Sequence, residues 1–112
     1  KKYINSITKQ VLEDGLPSGT CLNVNIPKGD DIKGIRVCRQ TSGQWVNEFM
    51  QSKDGADKDI YWLTGNFEND EPSDEMTDEW ALANRYVSVV PVKVDMTNHD
   101  LIASIKSWEA IL

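Results

Sequence analysis

Residues 78–92 read DEWALANRYVSVVPV, and the hydrophobic period changes in the middle of this stretch. Trp80 and Leu82 fit a short helix, whereas residues 86–90 are rich in β-branched side chains and are followed by Pro91. Such a run predicts a short buried strand over 86–90, with Val92 and Val94 as a short edge extension beyond the proline. A helix that leads directly into a buried strand is typical of a layered α/β domain.

The composition limits the classes of protein to which this chain can belong. Its 112 residues include 12 basic and 18 acidic side chains, for a net charge of −6. This balance disfavours nucleic-acid binding, because neutralising phosphates requires clustered lysine and arginine. No apolar run approaches the ~20 residues that a membrane-spanning helix needs. We therefore expect neither a nucleic acid nor a membrane as a partner.

The length allows one domain at most. A helical pattern begins at Lys1, which is not a methionine, so we expect a part of a longer protein. Cys21 and Cys38 fall inside predicted strands without the spacing of metal ligands. Two cysteines are weak evidence for a disulfide scaffold, although a disulfide between them stays an alternative. Free thiols in a reducing compartment are favoured, and we expect a cytoplasmic protein.

Hydrophobic periodicity divides the chain into six segments. The predicted segments are a helix over 1–15, core strands over 16–43, a β-hairpin over 44–66, an acidic loop over 67–79, a helix and strand over 80–95, and a C-terminal helix over 97–112. In the first core strand, Leu22, Val24 and Ile26 alternate with polar residues and are predicted to face inward. Ile35 and Val37 are predicted to face inward in the second.

Aromatic and aliphatic side chains of the hairpin and the C-terminal helix are predicted to contact another surface. Strand candidates over 45–50 and 60–63 flank the turn signal Asp54-Gly55, and a lone hairpin is marginally stable in water. The expected interface residues are Trp45, Phe49, Tyr61, Trp62, Leu101, Ile105 and Trp108, with Leu112 on the same helix side. Interface packing is favoured over a base-stacking platform, since no basic groove accompanies the tryptophans.

Three acidic or histidine-containing groups are candidates for chemistry. Asp30 and Asp31 are adjacent, but a hard cation needs oxygen ligands that converge from several segments, so a solvated loop is favoured. Residues 68–79 lack the spacing of a calcium loop and are interpreted as a solvated, mobile surface. His99 and Asp100 are neighbours on a helix and do not face each other, which favours a helix-start role over a general base.

The remaining polar candidates lie on predicted strands. Ser88 lacks the G-x-S-x-G context of a nucleophile elbow and is predicted to face a polar layer. Asn23 and Asn25 share the polar face of one strand, where we expect them to form structural hydrogen bonds with adjacent loops. Because no pattern supplies a nucleophile, a metal cage or a phosphate loop, we expect the catalytic chemistry to lie outside these residues.

Seven short segments, taken in order, resemble the C-terminal part of the survival protein E (SurE) 5'/3'-nucleotidase family. They are residues 16–20 (LPSGT), 22–27 (LNVNIP), 32–40 (IKGIRVCRQ), 61–65 (YWLTG), 77–82 (TDEWAL), 86–92 (YVSVVPV) and 95–97 (DMT). Each is weak alone, but the ordered set is specific and covers nearly the whole chain. Two positions depart from the family pattern: Arg85 stands where glycine is usual, and Val90 stands where threonine is usual.

The resemblance implies the C-terminal portion of a Rossmann-like α/β fold, with a mixed sheet, a protruding β-hairpin and a C-terminal helix. It also implies a divalent metal, Mg²⁺ or Mn²⁺, at the carboxyl ends of parallel strands, where nucleoside monophosphates are cleaved. In this family the metal-binding aspartates, serine and asparagine belong to N-terminal motifs that do not occur here. We therefore expect no catalytic or metal-binding residue in this chain and no metal bound by it alone.

For this chain the resemblance implies a structural role in a dimer or tetramer, with the hairpin and the C-terminal helix reaching a neighbouring subunit. The expected function is thus the structural and oligomerisation part of a metal-dependent 5'/3'-nucleotidase, inactive by itself. One alternative is a stand-alone protein-interaction module without catalytic activity. Another is a small independent hydrolase that uses His99 and the acidic loop.

Overall fold

A computed structural model describes residues 1–111, and its centre is a three-stranded mixed sheet. The elements in chain order are α1 (Lys2–Asp14), β1 (Thr20–Asn25), β2 (Gly34–Val37), β3 (Gly43–Val46), β4 (Phe49–Lys53), β5 (Asp59–Leu63), β6 (Asn66–Asn69), α2 (Asp78–Ala83), β7 (Tyr86–Lys93), α3 (His99–Ile105) and a 3-10 helix (Lys106–Ala110). The sheet has the order β1-β7-β2, with β7 antiparallel to β1 and parallel to β2. The predicted α/β class and mixed sheet are confirmed.

The helix and strand predicted over 78–92 form α2 and β7. The Thr77 side chain accepts a hydrogen bond from the Trp80 amide and caps α2, whose first turn carries two acidic residues. Residues 87–90 of β7 are all buried. The strand continues past Pro91 to Lys93, paired with β1, as the edge extension through Val92 predicted, whereas β2 pairs with β7 only as far as Val89. Beyond Val89, β2 no longer pairs with this edge of β7. A proline, which has no N–H to donate, is therefore tolerated there.

The inward-facing residues predicted for the core strands are only partly correct. Leu22 and Val24 of β1 are half-buried, whereas Ile26 lies beyond the strand and is 42% exposed. In β2, Ile35 and Val37 lie on the face under α1, but they are 42% and 69% exposed, so the expected burial is wrong. The α1 helix lies over this face but leaves a largely apolar groove of about 380 Å³ between itself and the sheet. The described residues therefore cover this face incompletely.

The two remaining strand pairs form one long two-stranded ribbon, in which β3 pairs with β6 and β4 pairs with β5. The predicted Asp54-Gly55 turn lies at its tip, where the Asp57 amide donates to the Asp54 carbonyl at 3.1 Å. The prediction of a single strand over 45–50 is wrong, because Asn47 has a φ of 53° and interrupts the strand. The ribbon begins before residue 44 and continues to Asn69, so the hairpin is longer than predicted and the acidic loop is shorter.

The molecule is extended, with a radius of gyration of 20.2 Å. A compact domain of this length would have a radius of about 13 Å. No residue of α3, the 3-10 helix, β4 or β5 is buried. The predicted C-terminal helix is α3 followed by a 3-10 turn rather than one helix, and Leu112 lies outside the described residues. None of the helices within residues 1–111 has the length and apolarity needed to cross a membrane.

Candidate functional site

Arg39 organises the acidic segment beside the carboxyl end of β2. Its guanidinium donates to both Glu71 carboxylate oxygens at 2.6 and 2.7 Å and to Asp74 Oδ2 at 2.6 Å. These hydrogen bonds from Arg39, followed by one from the Ser42 amide, lower the pKa of Glu71 to about 2. Two carboxylates of residues 68–79 therefore bind one arginine, a contact that the interpretation of this segment as a solvated, mobile surface did not include.

Asp78 joins the start of α2 to the strand that leads into the ribbon. Its Oδ1 atom accepts from the Thr41 amide at 2.9 Å, the Thr41 hydroxyl at 2.7 Å and the Glu79 amide at 2.9 Å. The Asp78 amide donates to the Arg39 carbonyl at 3.0 Å. Thr41 is only 7% exposed, so its polar atoms depend on this carboxylate. This contact was not predicted from the sequence.

A cavity of about 480 Å³ lies between the base of the ribbon and α2. Its lining residues are Gln40, Thr41, Gly43, Trp45, Phe67, Asp78 and Glu79. The rings of Trp45 and Phe67 pack with their centroids 5.7 Å apart and a tilt of 58°. A residue larger than glycine does not fit at position 43, since a Cβ atom there would lie 2.5 Å from Phe67 Cζ. The cavity thus combines an aromatic pair with an amide, a hydroxyl and two carboxylates.

The predicted interface residues are largely exposed, but they do not form one patch. Exposure lies between 49% and 65% for Trp45, Phe49, Tyr61, Trp62, Leu101 and Trp108, and Ile105 is half-buried. Register places Phe49 opposite Leu63 and Tyr61 opposite Gln51, whereas Trp62 is opposite Met50. Because neighbouring residues of a strand point to opposite faces, apolar side chains lie on both faces of the ribbon. Trp45 stands apart, at the cavity.

The candidate pair Asp30-Asp31 does not converge as a cation site. The Asp31 carboxylate instead forms an ion pair with the Arg85 guanidinium. Arg85 lies in the turn between α2 and β7 with a φ of 70°, in the left-handed region that favours glycine. The Lys33 amide donates to the Arg85 carbonyl at 2.8 Å and fixes this turn to the start of β2. Arg85, which stands where the family usually has glycine, therefore adopts a backbone conformation that glycine favours.

The predicted helix-start role of His99 is confirmed. The Asn98 side chain caps α3 by accepting from the Leu101 amide at 3.2 Å. His99 Nε2 lies 2.6 Å from Asp95 Oδ2 rather than beside the neighbouring acid Asp100. Hydrogen bonds from Thr97 and then from His99 lower the pKa of Asp95 to about 2. Asp95 precedes α3, so the spacing rule for residues on one helix does not predict this pair.

Ser88 and the two asparagines lie on the same side of the sheet. Ser88 is fully buried, and its hydroxyl has no hydrogen-bond partner within residues 1–111. It is in register with Asn25, whose side-chain amide donates to Asn23 Oδ1 at 3.2 Å. The two asparagines thus bind each other and, within residues 1–111, not the adjacent loops that were predicted as their partners. The polar layer predicted for Ser88 does not reach its hydroxyl. No base accompanies Ser88 as a nucleophile would require.

Both cysteines carry free thiols, as expected, with Cys21 exposed and Cys38 buried. Burial raises the pKa of the Cys38 thiol. In residues 1–111 no three His, Cys, Asp or Glu side chains group so that they could hold a metal ion. These residues therefore do not form a divalent-metal site by themselves.

Comparison with known proteins agrees with the sequence resemblance. The family model described as Survival protein SurE matches residues 1–47. The 5'-nucleotidase SurE of Phocaeicola vulgatus is 48% identical over 106 residues, which cover 95% of this chain and 41% of that protein. The chain is SurE-like. The 5'-nucleotidase SurE of Christiangramia forsetii is 51% identical over 111 residues, which cover 96% of the SurE-like chain and 42% of the relative.

A solved structure extends the likeness to three dimensions. The crystal structure of the SurE protein from Aquifex aeolicus matches with a TM-score of 0.70 and 39% identity, covering 96% of the SurE-like chain and 44% of that protein. The predicted portion of a SurE fold, and the resemblance to its C-terminal part, are confirmed. The chain spans less than half the length of these relatives.

Proposed function

We propose that this chain is the C-terminal structural and oligomerisation part of a divalent-metal-dependent 5'/3'-nucleotidase. Such an enzyme releases phosphate from nucleoside monophosphates. The observation that carries the proposal is the 48% identity, over 95% of the chain, to a protein named 5'-nucleotidase SurE. The Mg²⁺ or Mn²⁺ site is assigned to the part of SurE that the chain does not span, and the free thiols support a cytoplasmic location.

The fold supports a scaffold role for the chain. Ligands of open α/β sheets bind outside the carboxyl ends of the parallel strands. At the carboxyl end of β2, Arg39 holds Glu71 and Asp74, and Asp78 holds Thr41. These contacts fix the backbone at the sheet edge where a substrate of the complete enzyme would bind.

A chimeric enzyme tests the nucleotidase proposal. The chain would replace the 44% of Aquifex aeolicus SurE with which it aligns. We expect the chimera to release phosphate from AMP in the presence of Mg²⁺ or Mn²⁺ and to lose this activity with EDTA. Phosphate release is measured by colorimetric assay. A chimera that folds, as judged by circular dichroism, but releases no phosphate would contradict the proposal and favour a stand-alone interaction module.

The isolated chain is the matched control for the chimera. We expect it to release no phosphate with either metal, because none of its described carboxylates and histidines group as a metal site. Activity of the isolated chain that disappears in the His99→Ala variant would support the independent hydrolase instead. Because the His99 side chain is hydrogen-bonded only to Asp95 within residues 1–111, we expect that substitution to leave the activity of the chimera unchanged.

The same proposal assigns self-association to the ribbon and the C-terminal helix. Exposed aromatic side chains on β4, β5 and the C-terminal segment, and a radius of gyration of 20.2 Å, support separate apolar surfaces that other copies cover. We expect the isolated chain to form dimers or tetramers. Trp108, which is 63% exposed, is the expected anchor on the C-terminal segment.

Truncation of Trp108 tests the association. We expect Trp108→Ala to weaken self-association by about tenfold or more, since interface tryptophans are frequent hot spots. Sedimentation velocity over a concentration series measures the change. Lys9→Ala, on the exposed side of α1, is the control and is expected to leave association unchanged. A monomeric wild-type chain would contradict the assignment.

A further inference from the structure

We propose that the cavity at the base of the ribbon binds the nucleoside part of a nucleotide. This inference rests on the proposed nucleotidase function and adds to it a substrate-binding region made by this chain. The position supports it, since the cavity lies just beyond the carboxyl end of β2, which runs parallel to the central strand β7. That edge of an α/β sheet is where ligands bind. A volume of about 480 Å³ is within the usual range for small-molecule sites.

Trp45 supplies the surface for a base. Its indole is 61% exposed, and Phe67 packs against it with the ring centroids 5.7 Å apart. The tilted contact holds the indole at the cavity while much of its surface stays accessible. Aromatic side chains stack on bases of any sequence, because every base has a π-face. Base stacking on Trp45 does not require the basic groove that a nucleic-acid site needs.

Polar groups with free hydrogen-bonding capacity surround the indole. The Gln40 side chain carries both donors and an acceptor, and no described residue is hydrogen-bonded to it. Asp78 uses Oδ1 for its three internal hydrogen bonds, which leaves Oδ2 as an acceptor. The Glu79 carboxylate also has no partner within residues 1–111. An amide suits a base edge, and carboxylates suit the hydroxyls of a ribose.

The charge of the cavity restricts the ligand to the neutral part of a nucleotide. None of the lining residues is basic, and two are acidic. The nearby Arg39 is already bound to Glu71 and Asp74. A phosphate inside the cavity would face Asp78 and Glu79 and be repelled. The phosphate must therefore extend out of the cavity, and the class of ligand is a purine or pyrimidine nucleoside with its ribose hydroxyls.

Ligand-observed NMR titration of the 112-residue chain tests this inference, with adenosine as the probe. We expect saturation transfer to the base and ribose protons, and a dissociation constant for AMP no lower than that for adenosine. Inorganic phosphate and ribose 5-phosphate are expected not to displace adenosine. Displacement by phosphate, or no adenosine binding at all, would overturn the inference.

Three variants locate the binding. We expect Trp45→Ala to weaken adenosine binding by about tenfold or more, because it removes the stacking surface. Trp62→Ala is the matched control, since it removes an equally exposed indole from the same ribbon but outside the cavity. Glu79→Gln alters an exposed side chain and is expected to weaken binding without affecting the fold. Equal losses for Trp45→Ala and Trp62→Ala, or full binding by both Trp45→Ala and Glu79→Gln, would overturn the inference.

The result separates this inference from the nucleotidase proposal, because adenosine binding requires neither a metal nor hydrolysis. An active chimera together with a chain that does not bind adenosine would contradict the cavity assignment alone. Adenosine binding that depends on Trp45, together with an inactive chimera, would contradict the nucleotidase proposal alone.

Discussion

Replacing Asp78 by alanine is expected to lower the free energy of unfolding by about 2–4 kcal/mol. The substitution leaves the buried amide and hydroxyl of Thr41 without an acceptor and removes a hydrogen bond to the Glu79 amide. Unsatisfied buried polar groups are costly, and hydrogen bonds to a carboxylate are stronger than neutral ones. Urea unfolding of the chain, followed by circular dichroism, measures the change.

Two further variants test whether the loss of stability is specific to the hydrogen bonds of the Asp78 carboxylate. Asp78→Asn keeps one side-chain oxygen and is expected to cost about half as much, since its hydrogen bonds are no longer charge-assisted. Glu79→Ala removes the neighbouring carboxylate, which has no partner within residues 1–111, and is expected to cost at most about 0.5 kcal/mol. If Asp78→Ala and Glu79→Ala had the same small cost, the contact between α2 and Thr41 would not stabilise the fold.

Local sequence was sufficient to predict the α2–β7 unit. The change of period within residues 78–92, and a threonine before the first acidic turn, correspond directly to the observed cap, helix and strand. Patterns of this kind record which residues share a face and where a backbone amide needs a cap. Such patterns describe only residues that are close in sequence. The continuation of β7 past Pro91 shows this limit, because the pairing with neighbouring strands decides whether a proline ends a strand.

The candidate site was not predictable because its contacts join distant segments. Arg39 and Glu71 are 32 residues apart, and Thr41 and Asp78 are 37 residues apart. In sequence, residues 68–79 show only a run of like charge, which normally indicates a solvated surface. The compensating arginine belongs to the end of another strand, and only the sheet brings it close. The cavity could not be predicted for the same reason.

The burial expected for Ile35 and Val37 was wrong for a different reason. The sequence identifies an apolar face, but it does not specify what covers that face. In the structure α1 covers it incompletely, and both side chains stay exposed. Arg85 illustrates a third limit, because its left-handed backbone is set by the tight connection between α2 and β7 and not by its own preference.

Replacing Gly43 by alanine is expected to lower the free energy of unfolding by about 1–3 kcal/mol, through overpacking at the base of the ribbon. A Cβ atom there would lie 2.5 Å from Phe67 Cζ and would also collide with the Glu68 carbonyl oxygen. The ring of Phe67 could move, but the carbonyl belongs to the backbone of the paired strand β6. The two strands must therefore separate at this point. Urea unfolding measures the loss, and amide hydrogen exchange at Trp45 reports the local opening.

Gly55→Ala is the matched control, because Gly55 lies at the tip of the ribbon and a methyl group on its Cα would have no atom within 4 Å. We expect that substitution to change stability by at most about 0.5 kcal/mol. Phe67→Leu combined with Gly43→Ala is expected to recover only part of the loss, since the collision with the Glu68 carbonyl persists. The Gly43→Ala variant should also bind adenosine weakly, because a displaced Phe67 no longer supports Trp45. Equal stability of the two alanine variants would contradict the tight packing at the ribbon base, on which the shape of the cavity depends.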